Sequence, residues 1–288
     1  GLRYNGRDVA VVCAQQHGAV VVLGSATPSL TSFYHARKGK YQLLELPNRV
    51  AGTTLPRVQI VDLNQQSKKK SGNIITAELA AALLHHFEAS RQSILLLNRR
   101  GFSASMICRE CGTIVQCSHC MVSLTLHRSA ARLLCHYCGF QVPATTPCSS
   151  CGSDQLHPLG YGTERLFEEV GELVPGARLC RLDSDTAMNR KSFLQSLKAI
   201  AHHEIDIVVG TQMIAKGLHF PRVSLVGIVL AESSLAFPDH RAAEKTYQLI
   251  AQVTGRAGRG VHGGEVLIQT HKPEHYAIQY AANHDYHA

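Results

Sequence analysis

The sequence predicts an α/β fold: a doubly wound parallel sheet with flanking helices, interrupted by a compact cysteine-rich insertion. Three observations carry this. Short, β-branched apolar runs recur along the chain, and continuous runs of that length read as strands buried on both faces. Stretches with apolar residues at helical spacing separate them, the alternation that builds parallel sheets. Eight of the ten cysteines then fall in four CxxC pairs between Cys108 and Cys151.

Val9 to Val12 and Ala19 to Leu23 read as a helix end followed by a buried strand, closed by Gly24-Ser25-Ala26-Thr27-Pro28. Leu55 to Asp62 alternates like a further strand, and Thr76 to Ala89 has the spacing of an amphipathic helix. Ile94 to Leu97 is a buried strand running into Asn98-Arg99-Arg100-Gly101-Phe102. Beyond the cysteines, helices are expected over Gly162 to Leu173, Arg190 to His202 and Arg241 to Gly255. Strands are expected over Arg178 to Leu182, Ile205 to Val209, Val223 to Leu230 and Glu265 to Gln269. Residues before about 62 are expected in a different sheet, whose start is missing.

At 288 residues, 45% hydrophobic and 17% charged, the chain has the composition of a globular protein with room for about two domains. No apolar run reaches eighteen residues, and Gly1 to Arg7 resembles neither a signal nor a transit peptide. We therefore expect a soluble protein of a reducing compartment, with no membrane partner. A formal charge of +8 favours a polyanionic partner, though a solvated basic surface fits equally; Lys68 to Lys70 reads as a polar loop. Absence of Trp and few aromatics argue against base stacking as the main binding device.

Two thiolates separated by two residues occupy two corners of a tetrahedron, so four such knuckles predict two zinc ions. A disulfide framework is the competing explanation, but such scaffolds are usually small secreted domains. Between Cys120 and Cys135 lie Met121 to Leu134, long enough for a ribbon hairpin that closes two knuckles on one metal. Cys111 and Cys117 are separated only by Gly112 to Gln116. Nesting follows: Cys117, Cys120, Cys135 and Cys138 hold an inner zinc, and Cys108, Cys111, Cys148 and Cys151 an outer one. Both are expected to be structural, since four sulfurs leave no open position. His119, His127 and His136 lie close by and are expected to be solvated side chains.

Four loops have suspicious content for an open α/β sheet, where working residues gather beyond the carboxyl ends of strands. They are Gly24 to Pro28, Asn98 to Phe102, Gly210 to Gly217, and Gln252 to Arg259. In this order they resemble motifs III to VI of superfamily 2 helicases. With the four CxxC pairs and the segments GTERL, RLDSDT and QTHKPEH, the resemblance narrows to the replication-restart DNA helicases and spans essentially the whole chain. It implies a RecA-like helicase lobe with an inserted two-zinc domain, preceded by the tail of a first RecA-like lobe. The implied boundaries are 1–61 for the end of lobe 1, 62–107 for the start of lobe 2, 108–151 for the zinc insertion, 152–272 for the rest of lobe 2 and 273–288 for a C-terminal region.

The resemblance further implies a bacterial cytoplasmic, monomeric, ATP-dependent 3′ to 5′ helicase that acts on forked or junction DNA and initiates primosome assembly. Primosome proteins and single-strand DNA-binding protein are the implied partners, and ATP with Mg²⁺ the implied cofactor of the full-length protein. Arg256 and Arg259 would then sense phosphate, with Gln252, Gly255 and Gly217 on the nucleotide side. Ser25, Thr27, Thr211, Gln212 and Lys216 would couple nucleotide state to DNA, and Arg99, Arg100 and Phe102 would touch a strand. The chain departs from the pattern at Leu218, at Leu230-Ala231-Glu232 and at His240. It contains neither a GxxxxGK[ST] loop nor an Asp-Glu pair after a strand, so it is expected to be a fragment unable alone to bind ATP tightly or hydrolyse it. The alternative is a non-catalytic zinc-dependent DNA- or protein-binding module.

Overall fold

The computed structural model describes residues 4–47, 55–65, 73–97, 106–127, 130–158, 163–183, 186, 189–214, 220, 222–236, 239–257 and 263–287. Two compact units divide the chain, Gly1–Glu45 and Leu46–Ala288. The first holds α1 (Gly6–His17), capped by the Asn5 side chain, and α2 (Leu30–Arg37), capped by Ser29. Arg7 ties the two helices by donating to Ser29 Oγ at 2.5 Å and Ser32 Oγ at 2.7 Å. The strand expected over Ala19 to Leu23 is not formed: these residues are irregular, with Val20 90% and Val22 84% exposed. A strand needs a paired neighbour for its backbone groups, and the described residues of this unit contain none.

The second unit is built on a six-stranded parallel sheet, whose strands lie side by side in the order Arg57–Asp62, Glu265–Thr270, Val223–Val229, Gln92–Leu97, Ile207–Gly210 and Leu179–Leu182. Its strands are β1 (Arg57–Asp62), β2 (Gln92–Leu97), β8 (Leu179–Leu182), β9 (Ile207–Gly210), β10 (Val223–Val229) and β11 (Glu265–Thr270). β2 is central and buried along its whole length. Alternation divides its side chains between two cores. Ile94 and Leu96 join Val208, Val226, Ile228, Val266 and Ile268 on one face, under α5 (Arg190–Ala201), α6 (Ala242–Thr254) and α7 (Tyr276–Ala282). Leu95 and Leu97 join Ile207, Val209, Leu225 and Leu267 on the other, under α3 (Ala77–Glu88) and α4 (Thr163–Leu173).

Buried polar side chains fix the α3 face. Gln269 of β11 accepts from Thr76 N–H and donates to Ile74 C=O, and Glu169 of α4 accepts from the Ile74 and Ile75 amides. These bonds satisfy backbone groups ahead of α3 that would otherwise be stranded in an apolar layer.

One boundary changes. β1 pairs with β11 over its whole length, Arg57 with Glu265 through Asp62 with Thr270, so 57–62 belongs to the second lobe's sheet. The expectation that residues before about 62 lie in a different sheet fails here. Alternation marked a strand, but period-two patterning carries no information about which edge accepts it.

The cysteine segment interrupts the chain between β2 and α4. β3 (Met106–Cys108) pairs antiparallel with β7 (Leu156–Pro158), closing the insertion at its base. Within it β4 (Thr125–His127), β5 (Arg132–Leu134) and β6 (Gln141–Pro143) form a three-stranded antiparallel ribbon.

Candidate metal centres and motor loops

The insertion places its eight sulfurs in two groups: Cys108, Cys111, Cys148 and Cys151, and Cys117, Cys120, Cys135 and Cys138. Within each group all sulfurs lie within 4.8 Å of one another. This is the nested grouping. Cys108–Cys151, Cys111–Cys148 and Cys117–Cys138 sulfurs are each 3.6 Å apart. A disulfide needs about 2.05 Å. A tetrahedral ion with Zn–S of about 2.3 Å has edges of about 3.8 Å, so the donor set fits zinc.

Four similar turns produce the grouping. The amide of the residue after each pair donates to the first cysteine's carbonyl: Gly112 to Cys108, Met121 to Cys117, Gly139 to Cys135 and Gly152 to Cys148, each at 2.9 Å. That residue must adopt a left-handed backbone, with φ of 69°, 56°, 78° and 73° respectively. Three of the four are therefore glycine, and Met121 bears the cost of a Cβ there. Inside the inner pairs, His119 N–H and Tyr137 N–H donate to Cys117 Sγ and Cys135 Sγ at 3.4 Å.

Crowding splits the thiol acidities. Cys120 is pushed up to about 12, chiefly by its hydrogen bond with the Cys138 sulfur. Cys135 is held down at about 7, first by its hydrogen bond with the Cys138 backbone. In the outer group burial opposes ionisation of Cys111, yet hydrogen bonds from Thr113 outweigh it and bring the thiol to about 6. A divalent cation among four sulfurs would remove the conflict by holding all four as thiolates. Around the inner group the core is small: Met106, Cys117, Leu124, Leu133 and Cys135 are its buried members, so two of five are cysteines.

The loops singled out in the sequence are fixed differently. Thr211 and Gln212 follow β9, with Thr211 N–H donating to Leu182 C=O at 3.1 Å and Ile214 N–H to Thr211 C=O at 3.0 Å. Gln252, Gly255 and Arg256 lie at the end of α6, a helix, and lead toward the amino end of β11. This differs from the expected place beyond a strand's carboxyl end. Arg256 is half-buried between buried Thr254 and Ala257, its amide donating to Val253 C=O at 2.9 Å. Ser25 and Thr27 belong to the first unit, where Thr27 N–H donates to Ser25 Oγ at 3.1 Å. Arg99, Arg100, Phe102, Lys216, Gly217 and Arg259 lie outside the described residues.

Sequence reasoning missed the seat of the insertion. Asn64, just after β1, donates through Nδ2 to His271 C=O at 2.8 Å and to Asp62 Oδ1 at 2.9 Å, while its Oδ1 faces His271 Nδ1 at 3.0 Å. The outer knuckle's Gly112 packs against this pair. Glu232, noted in the sequence only as a departure from the pattern, is fully buried after β10, and its Oε2 accepts from Thr270 Oγ1 at 2.6 Å. No local signal marks either contact.

A parallel sheet covered on both faces, interrupted between β2 and α4 by a ribbon with two Cys₄ groups, is the architecture expected of a RecA-like helicase lobe with a zinc-binding insertion. The helicase conserved C-terminal domain matches residues 162–261, and the PriA DNA helicase Cys-rich region matches residues 117–143. Replication restart protein PriA of Bacillus subtilis is 44% identical over 284 residues, covering 99% of this chain and 35% of that protein. PriA of Haemophilus influenzae is 42% identical over 273 residues, 95% of this chain and 37% of that protein. PriA of Treponema pallidum is 41% identical over 283 residues, 98% and 42%. The chain is similar to PriA proteins over nearly its whole length, and it spans between about a third and two fifths of the length of these relatives. Among the described residues no helix is long and apolar enough to cross a membrane.

Proposed function

We propose that the chain is the motor and zinc segment of an ATP-dependent 3′ to 5′ DNA helicase that recognises stalled or repaired forks and starts primosome assembly in the bacterial cytoplasm. The observation that carries this reading is the pair of nested Cys₄ groups set into a helicase lobe, in a chain 44% identical to a replication restart protein over nearly its whole length. The two groups each hold a structural zinc ion, since four sulfurs leave no coordination position for substrate. ATP, when bound, supplies the phosphoryl group whose transfer drives the motor.

This chain's residues act on that nucleotide from one side. Arg256, with Arg259, places fixed positive charge where charge builds on the transferred phosphoryl, and guanidinium suits that task through its rigid planar donors. Gln252 and Gly255 shape the approach, and Gly217 borders it. Thr211, Gln212 and Lys216, with Ser25 and Thr27 on the first unit, carry the nucleotide's state to DNA contacts, among them Arg99, Arg100 and Phe102. Forked DNA, primosome proteins and single-strand DNA-binding protein are the partners of this reading, which takes the protein as a monomer.

The test mixes this chain with a separately made upstream segment of the same protein and measures ATP hydrolysis with and without forked DNA. DNA-stimulated hydrolysis that falls at least tenfold in Arg256→Ala and Arg259→Ala is expected. Activity equal to wild type in both variants would remove the arginine assignment. Zinc-dependent fork binding without any hydrolysis would point instead to a non-catalytic module.

A further inference from the structure

His127 ends β4 and His136 lies inside the third knuckle, between Cys135 and Cys138. Their Nε2 atoms stand 3.1 Å apart, with ring centroids at 5.1 Å and planes inclined by 53°. The hairpin sets this approach. Thr125 pairs with Leu134, Leu126 with Leu133 and His127 with Arg132, and the knuckle after Leu134 turns back along the ribbon. His136 is exposed and His127 half-buried, whereas Cys117 and Cys135 are buried.

We propose that His127 and His136 form a third metal site, for one exchangeable divalent transition ion such as Ni²⁺, Cu²⁺ or Zn²⁺, with its other coordination positions open to water. An ion with metal–nitrogen bonds of about 2.0–2.1 Å separates two imidazole nitrogens by about 2.9 Å at a right angle and about 3.3 Å at the tetrahedral angle. The observed 3.1 Å lies between them. Imidazole selects these borderline ions, whereas Mg²⁺ and Ca²⁺ require oxygen donors. The neighbouring positive charge does not close the site: Arg132 donates to Gln141 Oε1 at 3.1 Å, and it lies on an exposed surface where salt screens it. Two ligands and open positions make the site weak and exchangeable, in contrast to the closed sulfur groups.

The test uses the whole chain carrying its zinc, dialysed against NiCl₂ at neutral pH, with both metals counted per chain. The expected result is one more Ni²⁺ in wild type than in His127→Gln, and the same difference for His136→Gln, with zinc content unchanged in all three. The remaining histidines contribute equally and cancel in the comparison. His127 lies outside every knuckle, so its variant reports on the site even if His136→Gln disturbs the inner sulfurs. Equal Ni²⁺ uptake by wild type and His127→Gln overturns the proposal and leaves the pair as a hydrogen bond between imidazoles. Nickel that enters only as zinc leaves overturns it too, by assigning the ion to the sulfur groups. The zinc count is read separately, so this inference can fail while the zinc assignment stands.

Discussion

Gly112 of the outer knuckle lies directly against His271 at the end of β11: a Cβ built on Gly112 would stand 2.9 Å from the His271 Cβ and 2.9 Å from Asn64 Oδ1. The knuckle therefore rests on the carboxyl ends of two adjacent strands of the motor sheet, β1 and β11. This contact joins the insertion to the lobe at a point far in sequence from both of its chain connections.

Gly112→Ala should consequently cost more than the same change at Gly152. Both positions have left-handed φ, so both bear the conformational penalty of about 1 kcal/mol. Only Gly112 adds the clash, since nothing lies within 4 Å of a Cβ at Gly152. Overpacking of this kind adds about 1–3 kcal/mol. Denaturant unfolding of the two variants measures the difference, and equal losses would show that the knuckle is not seated on Asn64 and His271.

Zinc content should follow the two groups. Wild type is expected to bind two zinc ions, and Cys108→Ala or Cys117→Ala to lose one each, because each removes a ligand from a separate tetrahedron. Chelation should melt the ribbon while the sheet persists, since the insertion's buried cluster is distinct from those of the sheet and two of its five members are cysteines of the inner group. Metal analysis with hydrogen exchange across 106–158 checks both points. Loss of both ions from a single substitution would contradict independent sites.

How much of this was written in the sequence depends on the range of the interaction concerned. Knuckle geometry is local, set by a few residues and a glycine, so the sulfur pairing followed from spacing. The strands β2, β9 and β10 followed from apolar runs because burial along their whole length leaves no other pattern. The edge on which β1 would pair was not legible, for its partner β11 lies about two hundred residues away, Val58 opposite Val266. Likewise Val20 and Val22 have the composition of a strand, but composition cannot supply the neighbour that makes one. His127 and His136 come together only through the register of a hairpin, so neither signals the other in the sequence.

Stability should fall as pH drops below the ordinary range of histidine, and His86 should carry a resolvable share. Its ring is buried, with Nδ1 at 2.6 Å from Ser224 Oγ and Nε2 at 3.1 Å from Glu265 Oε2. Burial holds its pKa below the usual value, against the pull of Glu265. The unfolded chain thus takes up the proton first, so stability is full above pH about 6.5 and declines as pH falls from there toward the folded value. One proton contributes a slope of at most about 1.4 kcal/mol per pH unit. His86→Gln should be less stable at neutral pH yet show a shallower decline between pH 7 and 5. Parallel profiles would mean that His86 does not titrate in this window.

Gly210→Ala should be the most damaging single-methyl change in the motor sheet. Two glycines of the sheet have no room for a Cβ. At Gly227 on β10 the obstacles are side-chain ends, Leu95 Cδ2 at 2.4 Å and Leu79 Cδ1 at 2.9 Å, which a shift of rotamers partly relieves. At Gly210 the obstacle is backbone, Leu182 C=O with its oxygen at 2.1 Å, and no rotamer change moves it. A methyl there must push β8 away from β9, breaking the Thr211 N–H bond to Leu182 C=O that sets the direction of the Thr211–Gln212 turn. Gly227→Ala is expected to cost about 1–3 kcal/mol, the range for an overfilled core, and Gly210→Ala more than that. Only Gly210→Ala should also expose the amides of β8 and the Thr211 turn to hydrogen exchange while β1, β10 and β11 stay protected. If the two variants lose equal stability and exchange alike, the β8–β9 edge is not what holds the turn, and the position of Thr211 and Gln212 must be set from elsewhere in the lobe.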